Sequence, residues 1–540
     1  MLSMFGFIIA EKPRKDPVQS EIERTTDPKI LENYLTDESR IIFGRAEEVY
    51  FPKTEEDIAK ILKEANEKGV RVTISGGGTG ITGSRVPQGG IVLSTEKITN
   101  LFGFGENLVK YEENGVKYSI YVAFDADTNE HYAIAPPGIP LEIFQRMVQA
   151  EGYFYPPDPT ETTALLGGTV ATNASGARTF KYGATRNYVR RIRTVLTNGD
   201  VLNIKRNLVH AIEAGIFAVV FTSGKKVEIK LPSYTMPNVK NAAGYYVKPG
   251  MDLIDLFIGS EGTLGVISEV EFRLTEPPRT IVSIFAHFSK ETDCLRFVKE
   301  LRKRARSEET NVLSIEFFDK NSLDFMRVKY PPSRIPEESQ GLVFFEQEIP
   351  KEEEISESLE ETASLLESCN VLETMASSDP DWKKESKELR HTLPEQINSF
   401  VRSHGTYKVA TDIVVPDDAL DSMMAIYHEV GDEDAIPYVI FGHIGDNNLH
   451  FNFLSRNQDE LAKATKACTT LLKRAIELGG TISGEHGVGK KTYVENGIKK
   501  PYLELMYGKD GLLSIAGIKS SFDPDHILNM GNIVPIEYEK

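Results

Sequence analysis

Two histidines stand seven residues apart in FGHIGDNNLH (441–450), and imidazoles held at a fixed separation can share a metal ion or relay a proton. Seven residues is about two helical turns, which would put His443 and His450 on one face of a helix. The residues between them oppose that: Gly445, Asp446, Asn447 and Asn448 favour turns, while PYVIF before and LHFNF after read as strands. A two-residue turn at Asp446-Asn447 predicts that His443 pairs with His450 across a hairpin, Cβ atoms about 5 Å apart. Asn452 then shares their face. The cluster is a metal site or polar decoration on an exposed hairpin.

A second chemistry-bearing stretch is SGGGTGITGS, residues 75–84. Its glycines bare consecutive backbone N–H groups and let the chain approach a ligand closely, and a pyrophosphate is the natural guest. Neither a GxGxxG in a βαβ unit nor a Walker lysine accompanies it, so a plain flexible loop is the competing reading. PPDPTETTALLGGTVATNASGARTFKYG (156–183) adds small residues and hydroxyls able to enclose a dinucleotide, and GSEGTLGVISEVEFRL (259–274) adds a third glycine turn entering a strand.

The elements that must position these groups follow from the periodicity. EEDIAKILKEANEKGVRVTI predicts a helix with Ile58, Ile61, Leu62 and Ala65 on its buried face, stopped at Gly69 and followed by a strand. Short strands and glycine turns continue to about residue 276, and TEPPR (275–279) marks a boundary. Beyond it TIVSIFAHF, NVLSIEFFD and GLVFFEQEI read as strands, ETDCLRFVKELRKRA and the acidic KEEEISESLEETASLLES as helices, an α+β pattern. At 540 residues the chain exceeds one ordinary core. A net charge of −18 argues against a nucleic-acid surface. Three distant cysteines (Cys294, Cys369, Cys468) build neither a disulfide framework nor an iron–sulfur cluster, and point to a reducing compartment. No stretch approaches the ~20 apolar residues of a membrane helix, and the N-terminus lacks the marks of a signal peptide.

The three glycine stretches, in this order and at these separations, resemble the FAD-binding domain of the vanillyl-alcohol oxidase (PCMH-type) flavoprotein superfamily. The resemblance implies an N-terminal arm (1–44), an α+β FAD domain of two subdomains (45–277) and an α+β, ferredoxin-like substrate and metal domain (278–540), with 520–540 returning towards the flavin. It implies FAD contacts from Ser75, Gly76, Gly77, Gly78, Thr79, Gly80, Gly83 and Ser84 around the pyrophosphate, and from Pro157, Asp158, Thr163, Gly167, Gly168, Asn173, Gly176, Tyr182, Gly183, Glu261, Gly262, Gly265 and Ile267. No histidine lies between Ser75 and Ser84, so the flavin is expected to be noncovalent.

HIGDNNLHFN and GTISGEHGVGKK resemble the paired HxGDGNLHxN and SGEHGxG motifs of the D-2-hydroxyacid dehydrogenase branch, which includes D-lactate, glycolate and D-2-hydroxyglutarate dehydrogenases. Asn447 stands where that branch has glycine, and asparagine tolerates positive φ. FDPDHILNMGNI resembles the branch's closing segment, with Asn529 facing the flavin. The resemblance implies a divalent ion, Zn2+ or Mn2+, on His443, His450 and Glu485, with His486 as the general base. Arg390, Lys408 and Asn452 are the implied substrate contacts. Two imidazoles and a carboxylate suit such an ion and leave room for a 2-hydroxy acid. The expected reaction is oxidation of a D-2-hydroxy acid, D-lactate foremost, with D-2-hydroxyglutarate or glycolate as the other substrates. Two alternatives stay open: a metal-free alcohol or sugar oxidase of the same superfamily, and a flavin-binding subunit whose own substrate site is idle. The chain carries no haem motif and no NAD fingerprint, so electrons are expected to leave to quinone, cytochrome, electron-transferring flavoprotein or an iron–sulfur subunit. A homodimer and a cytoplasmic location, with any attachment to the inner membrane made through a partner, complete the expectation.

Overall fold

The computed structural model describes residues 6–15, 21–40, 42–105, 107–212, 215–331 and 333–539, and the backbone alone at 352, 380, 383, 387, 390 and 391. The helix read from the sequence runs Glu55–Lys68. Thr54 accepts the Asp57 N–H while the Asp57 carboxylate accepts from Thr54, and Gly69 closes it at φ 62°. Such reciprocal capping satisfies donors that a helix start otherwise wastes. Its apolar face (Ile58, Leu62, Ala65) packs on Val72, Leu93 and Val266.

This helix lies over a four-stranded sheet of order Glu23–Thr25, Glu48–Phe51, Ile91–Ser94, Val72–Ser75, whose last three strands are parallel. Beside it stands a six-stranded antiparallel sheet of order Val201–Lys205, Val189–Val195, Val266–Arg273, Glu130–Ala135, Val116–Asp125, Val109–Glu113. The glycine loop leaves the end of Val72–Ser75 and the third glycine turn enters Val266–Arg273, so both open into the seam between the sheets. The second half is an eight-stranded antiparallel sheet in which Thr280–Phe288, Gly341–Ile349, Val312–Asp319, Tyr438–His443 and Asn448–Phe453 follow one another. The strands match the stretches singled out at 280, 311 and 341. The C-terminal segment returns to the first half, where Leu528 pairs with Val72.

Charge also fastens the first half. Arg193, at the centre of the six-stranded sheet with 2% of its side chain exposed, donates to both oxygens of Glu55 and to Glu11. It therefore joins the sheet to the start of the helix and to the N-terminal segment. Removing one partner of a buried pair leaves the other charge uncompensated, at a cost of about 3–5 kcal/mol. Arg193→Met is therefore expected to lower the free energy of the first urea unfolding transition by that order, and an unshifted transition would show that the pair holds nothing.

Candidate active site

Tyr438–His443 and Asn448–Phe453 form the hairpin that the sequence predicts, but the register differs by two residues. His443 pairs with Asn448 and Phe441 with His450. The turn is a 3-10 segment, Ile444–Asp446, closed by Asn447 at φ 56°. A two-residue slip preserves the alternation of strand faces, so the histidines still face the same way, diagonally, with ring centroids 5.4 Å apart. Asn452 is buried beside them, its amide donating to the His450 carbonyl and its Oδ1 without a partner.

The GEHG loop meets this face. Glu485 Oε1 lies 3.2 Å from His443 Nε2 and 3.3 Å from His450 Nε2. Its Oε2 accepts from Lys240 at 2.6 Å, and both side chains are 7% exposed. Burial opposes the charge of Glu485, but Lys240 and His443 outweigh it and hold the carboxyl well below the usual carboxylate range. Burial likewise opposes a charge on His443, and Glu316 with Glu485 overcomes it, raising the imidazole to about 10. The site is built to receive positive charge between those carboxylates. His443 Nδ1 is held 2.6 Å from Glu316 Oε1, which fixes the ring with its other nitrogen towards Glu485. Asp412, His450, Glu485 and His486 have ligand atoms within 4.8 Å of one another. Asp412 is already committed to the Glu485 and His486 N–H groups and the Ser483 hydroxyl, so it orients the loop. Of the expected ligand set, His450 and Glu485 belong to that group and His443 does not, although its Nε2 lies 3.2 Å from the same Glu485 oxygen.

His486 stands at the edge of this cluster, 30% exposed, with Nδ1 3.2 Å from Asp412 Oδ2. That contact suits a proton on Nδ1, and Nε2 lies 3.7 Å from Glu485 Oε1. Glu485 and His486 also line a cleft of about 350 Å³ between the two halves of the chain, within the size range of ligand sites. Gly76, Gly77, Gly78, Thr79, Gly80, Ser84, Gly167, Gly168, Glu261, Gly262, Gly265, Ile267 and Asn529 line it too. Ser75, Gly83, Pro157, Thr163, Asn173, Gly176, Tyr182 and Gly183, also expected there, do not line it. Asn173 accepts the Arg186 N–H, and Gly83 donates to Asp37. Asp158 instead lines a second cavity of about 100 Å³, whose walls include His443, His450, Glu316, Phe318, Phe441 and Pro394.

Lys408 is partly buried two residues before Ala410, which pairs with Asn452. Burial and the neighbouring Lys491 lower it to about 8, against the pull of Asp412. Arg390 falls on the helix Pro380–Ser403, and its side chain lies outside the described residues. Lys240, Glu316 and Asp412 gave no signal in the sequence: each is a single polar residue in an ordinary strand or loop, brought in from far along the chain.

The matches to known proteins follow the same division. Residues 46–205 match the family described as FAD binding domain, and residues 277–533 match FAD linked oxidases, C-terminal domain. The chain belongs to the FAD-linked oxidases of the PCMH-type flavoprotein superfamily: it is an FAD-linked oxidoreductase. Within the superfamily it falls in the branch of the glycolate oxidase subunit and the D-lactate and D-2-hydroxyglutarate dehydrogenases. It is 28% identical to glycolate oxidase subunit GlcD of Bacillus subtilis, over 90% of this chain and 88% of that one. It is 28% identical to D-lactate dehydrogenase of Anaerostipes hadrus (94% and 93%) and 27% identical to D-2-hydroxyglutarate dehydrogenase of Xanthomonas citri pv. viticola (94% and 93%). A solved alkyldihydroxyacetonephosphate synthase shares the fold, at TM-score 0.63 and 16% identity over 94% of this chain and 81% of that one.

Glu261 ties the cleft together. Its carboxylate accepts from Ser84 of the glycine loop and from the Val488 and Gly489 N–H groups after the GEHG motif, and its carbonyl accepts from Asn529 and Asn532. A Cβ on Gly487 would lie 2.7 Å from Glu261 Oε1, so only glycine admits the carboxylate there. Glu261→Ala strands buried N–H donors, each worth about 1–3 kcal/mol. The variant is expected to purify with less FAD per chain by absorbance, and full loading after dialysis would show that the tether is dispensable.

Proposed function

We propose that this protein oxidises a small D-2-hydroxy acid, D-lactate foremost, to the 2-oxo acid, with a divalent metal ion at the hairpin and an external protein or quinone as electron acceptor. The observation that carries the reading is the convergence of His443 and His450 on one oxygen of Glu485, with His486 beside them opening into the FAD cleft. Bound FAD supplies a hydride acceptor, and a bound divalent ion would make the substrate hydroxyl more acidic. The chain's own residues do the rest. His486 Nε2 takes the hydroxyl proton while Asp412 steadies the resulting imidazolium through Nδ1. Lys408 and Arg390 are assigned to the substrate carboxylate, where a cation fixes its orientation, and the unpartnered Asn452 Oδ1 is left to accept a hydrogen bond.

The second cavity supports a small, uncharged substituent on C2. It is only about 100 Å³ and has Phe318, Phe441 and Pro394 among its walls. The carboxylates that reach it, Asp158 and Glu316, would repel an acidic tail, and among the described residues no lysine or arginine lines it. Arg178 close by is taken, its guanidinium donating to both Glu346 oxygens at 2.9 and 3.0 Å. Outward electron transfer is assigned to a separate partner because Cys294, Cys369 and Cys468 are each buried and free.

The reading is tested by mixing FAD-loaded, metal-replete protein with D-lactate, L-lactate, glycolate and D-2-hydroxyglutarate without oxygen and following the flavin absorbance. D-lactate is expected to bleach it fastest and L-lactate hardly at all, and His486→Ala to slow bleaching by ~10²-fold or more. A flavin that stays oxidised with every acid contradicts the proposal.

A further inference from the structure

The FAD cleft contains a charge that the glycine loop alone does not require. Of the described residues lining it, Asp37, Glu161, Glu261 and Glu485 are acidic, and Arg85 is the one lysine or arginine. Arg85 immediately follows the loop and folds back on it: a Cβ on Gly78, at φ 82°, would overlap its Nη1. The N-terminal arm fixes the other side of the guanidinium. Nη2 donates to the Asn33 carbonyl, and the Tyr34 ring lies 5.3 Å away beneath it.

Within this cradle the guanidinium is short of anions. Its Nε is buried with no hydrogen-bond partner, and among the described residues no carboxylate lies within ion-pair distance of it. Asp37 is engaged elsewhere, by the Gly83 N–H at 2.6 Å and the Ser39 N–H at 3.1 Å. Five fixed donors and no acceptor make an arginine fork expensive to bury without an anion, and phosphate oxygens match its geometry.

We propose that Arg85 binds the pyrophosphate of FAD, adding a charged fork to the backbone N–H groups of the glycine loop, and that residues 27–40 of the arm hold that fork in place. The inference rests on FAD occupying the cleft. It gives the arm a task in cofactor binding.

The test separates a cofactor contact from a structural one by comparing two quantities with opposite expected signs. Apoprotein is prepared for the wild type, Arg85→Met and Arg85→Lys, and FAD affinity is measured by flavin fluorescence quenching. Melting temperature is followed without FAD. Charge-assisted hydrogen bonds of this kind are worth at least ~10-fold in affinity, so Arg85→Met is expected to weaken FAD binding by that factor or more. Arg85→Lys is expected to fall between. The melting temperature of Arg85→Met apoprotein is expected to equal or exceed that of the wild type, because a partly buried charge with no anion beside it has been removed. An unchanged FAD affinity overturns the proposal, as does a lowered apoprotein melting temperature accompanying the loss of FAD. A wild-type apoprotein that fails to quench FAD would refute occupancy of the cleft instead.

Discussion

The whole catalytic region depends on one buried carboxylate. Glu485 is almost wholly withdrawn from water, and an isolated carboxylate in such a place costs far more than a protein's net stability. It is tolerated because positive or protonatable groups surround it: Lys240 from the first half of the chain, His443 and His450 from the hairpin, and His486 beside it. Each of those groups arrives on a different element, so compensating this one charge draws the lobes, the hairpin and the GEHG loop together. Glu316 and Glu485 are answered by Lys240 and by His443, whose imidazole they hold well above its usual range.

The second constraint is that the chemistry and the cofactor must share a wall. Glu261 meets it by bonding simultaneously to the glycine loop, the peptide groups after the GEHG motif and the C-terminal segment. Movement of any one of these segments therefore disturbs the others. His486 can face the FAD cleft while its neighbour Glu485 faces the hairpin because the intervening backbone is pinned by Asp412. One loop thus meets the hairpin histidines through Glu485 while both of its acid-base groups line the FAD cleft.

Much of this was legible in the sequence where the signal was local. The helix Glu55–Lys68 announced its apolar face and its stop at Gly69, and the strands around 280, 311 and 341 announced themselves by composition. The hairpin histidines were placed on one face correctly even though the register was not, because side-chain direction repeats every two residues and the slip was two. The turn itself departed from the two-residue form because Asn447 took the left-handed conformation at the end of a 3-10 segment. What the sequence hid is long-range. Lys240 and Asp412 meet the GEHG loop across 245 and 73 residues of sequence, and nothing in NVKNAAG or ATDIVV distinguishes them from ordinary surface or strand residues. Asp158 shows the opposite case, a residue of a glycine-rich cofactor stretch that faces the smaller cavity beside the histidines.

The proposed reaction requires His443, His450 and Glu485 to act as one divalent-ion site separate from the flavin loops. The most direct measurement is elemental analysis of dialysed, FAD-loaded protein, with the flavin absorbance read on the same samples. The account predicts about one zinc or manganese per chain in the wild type, and little or none in His443→Ala and His450→Ala, with the yellow FAD retained in all three. A wild type free of divalent metal yet able to oxidise D-lactate, or histidine variants that keep their metal, would contradict it.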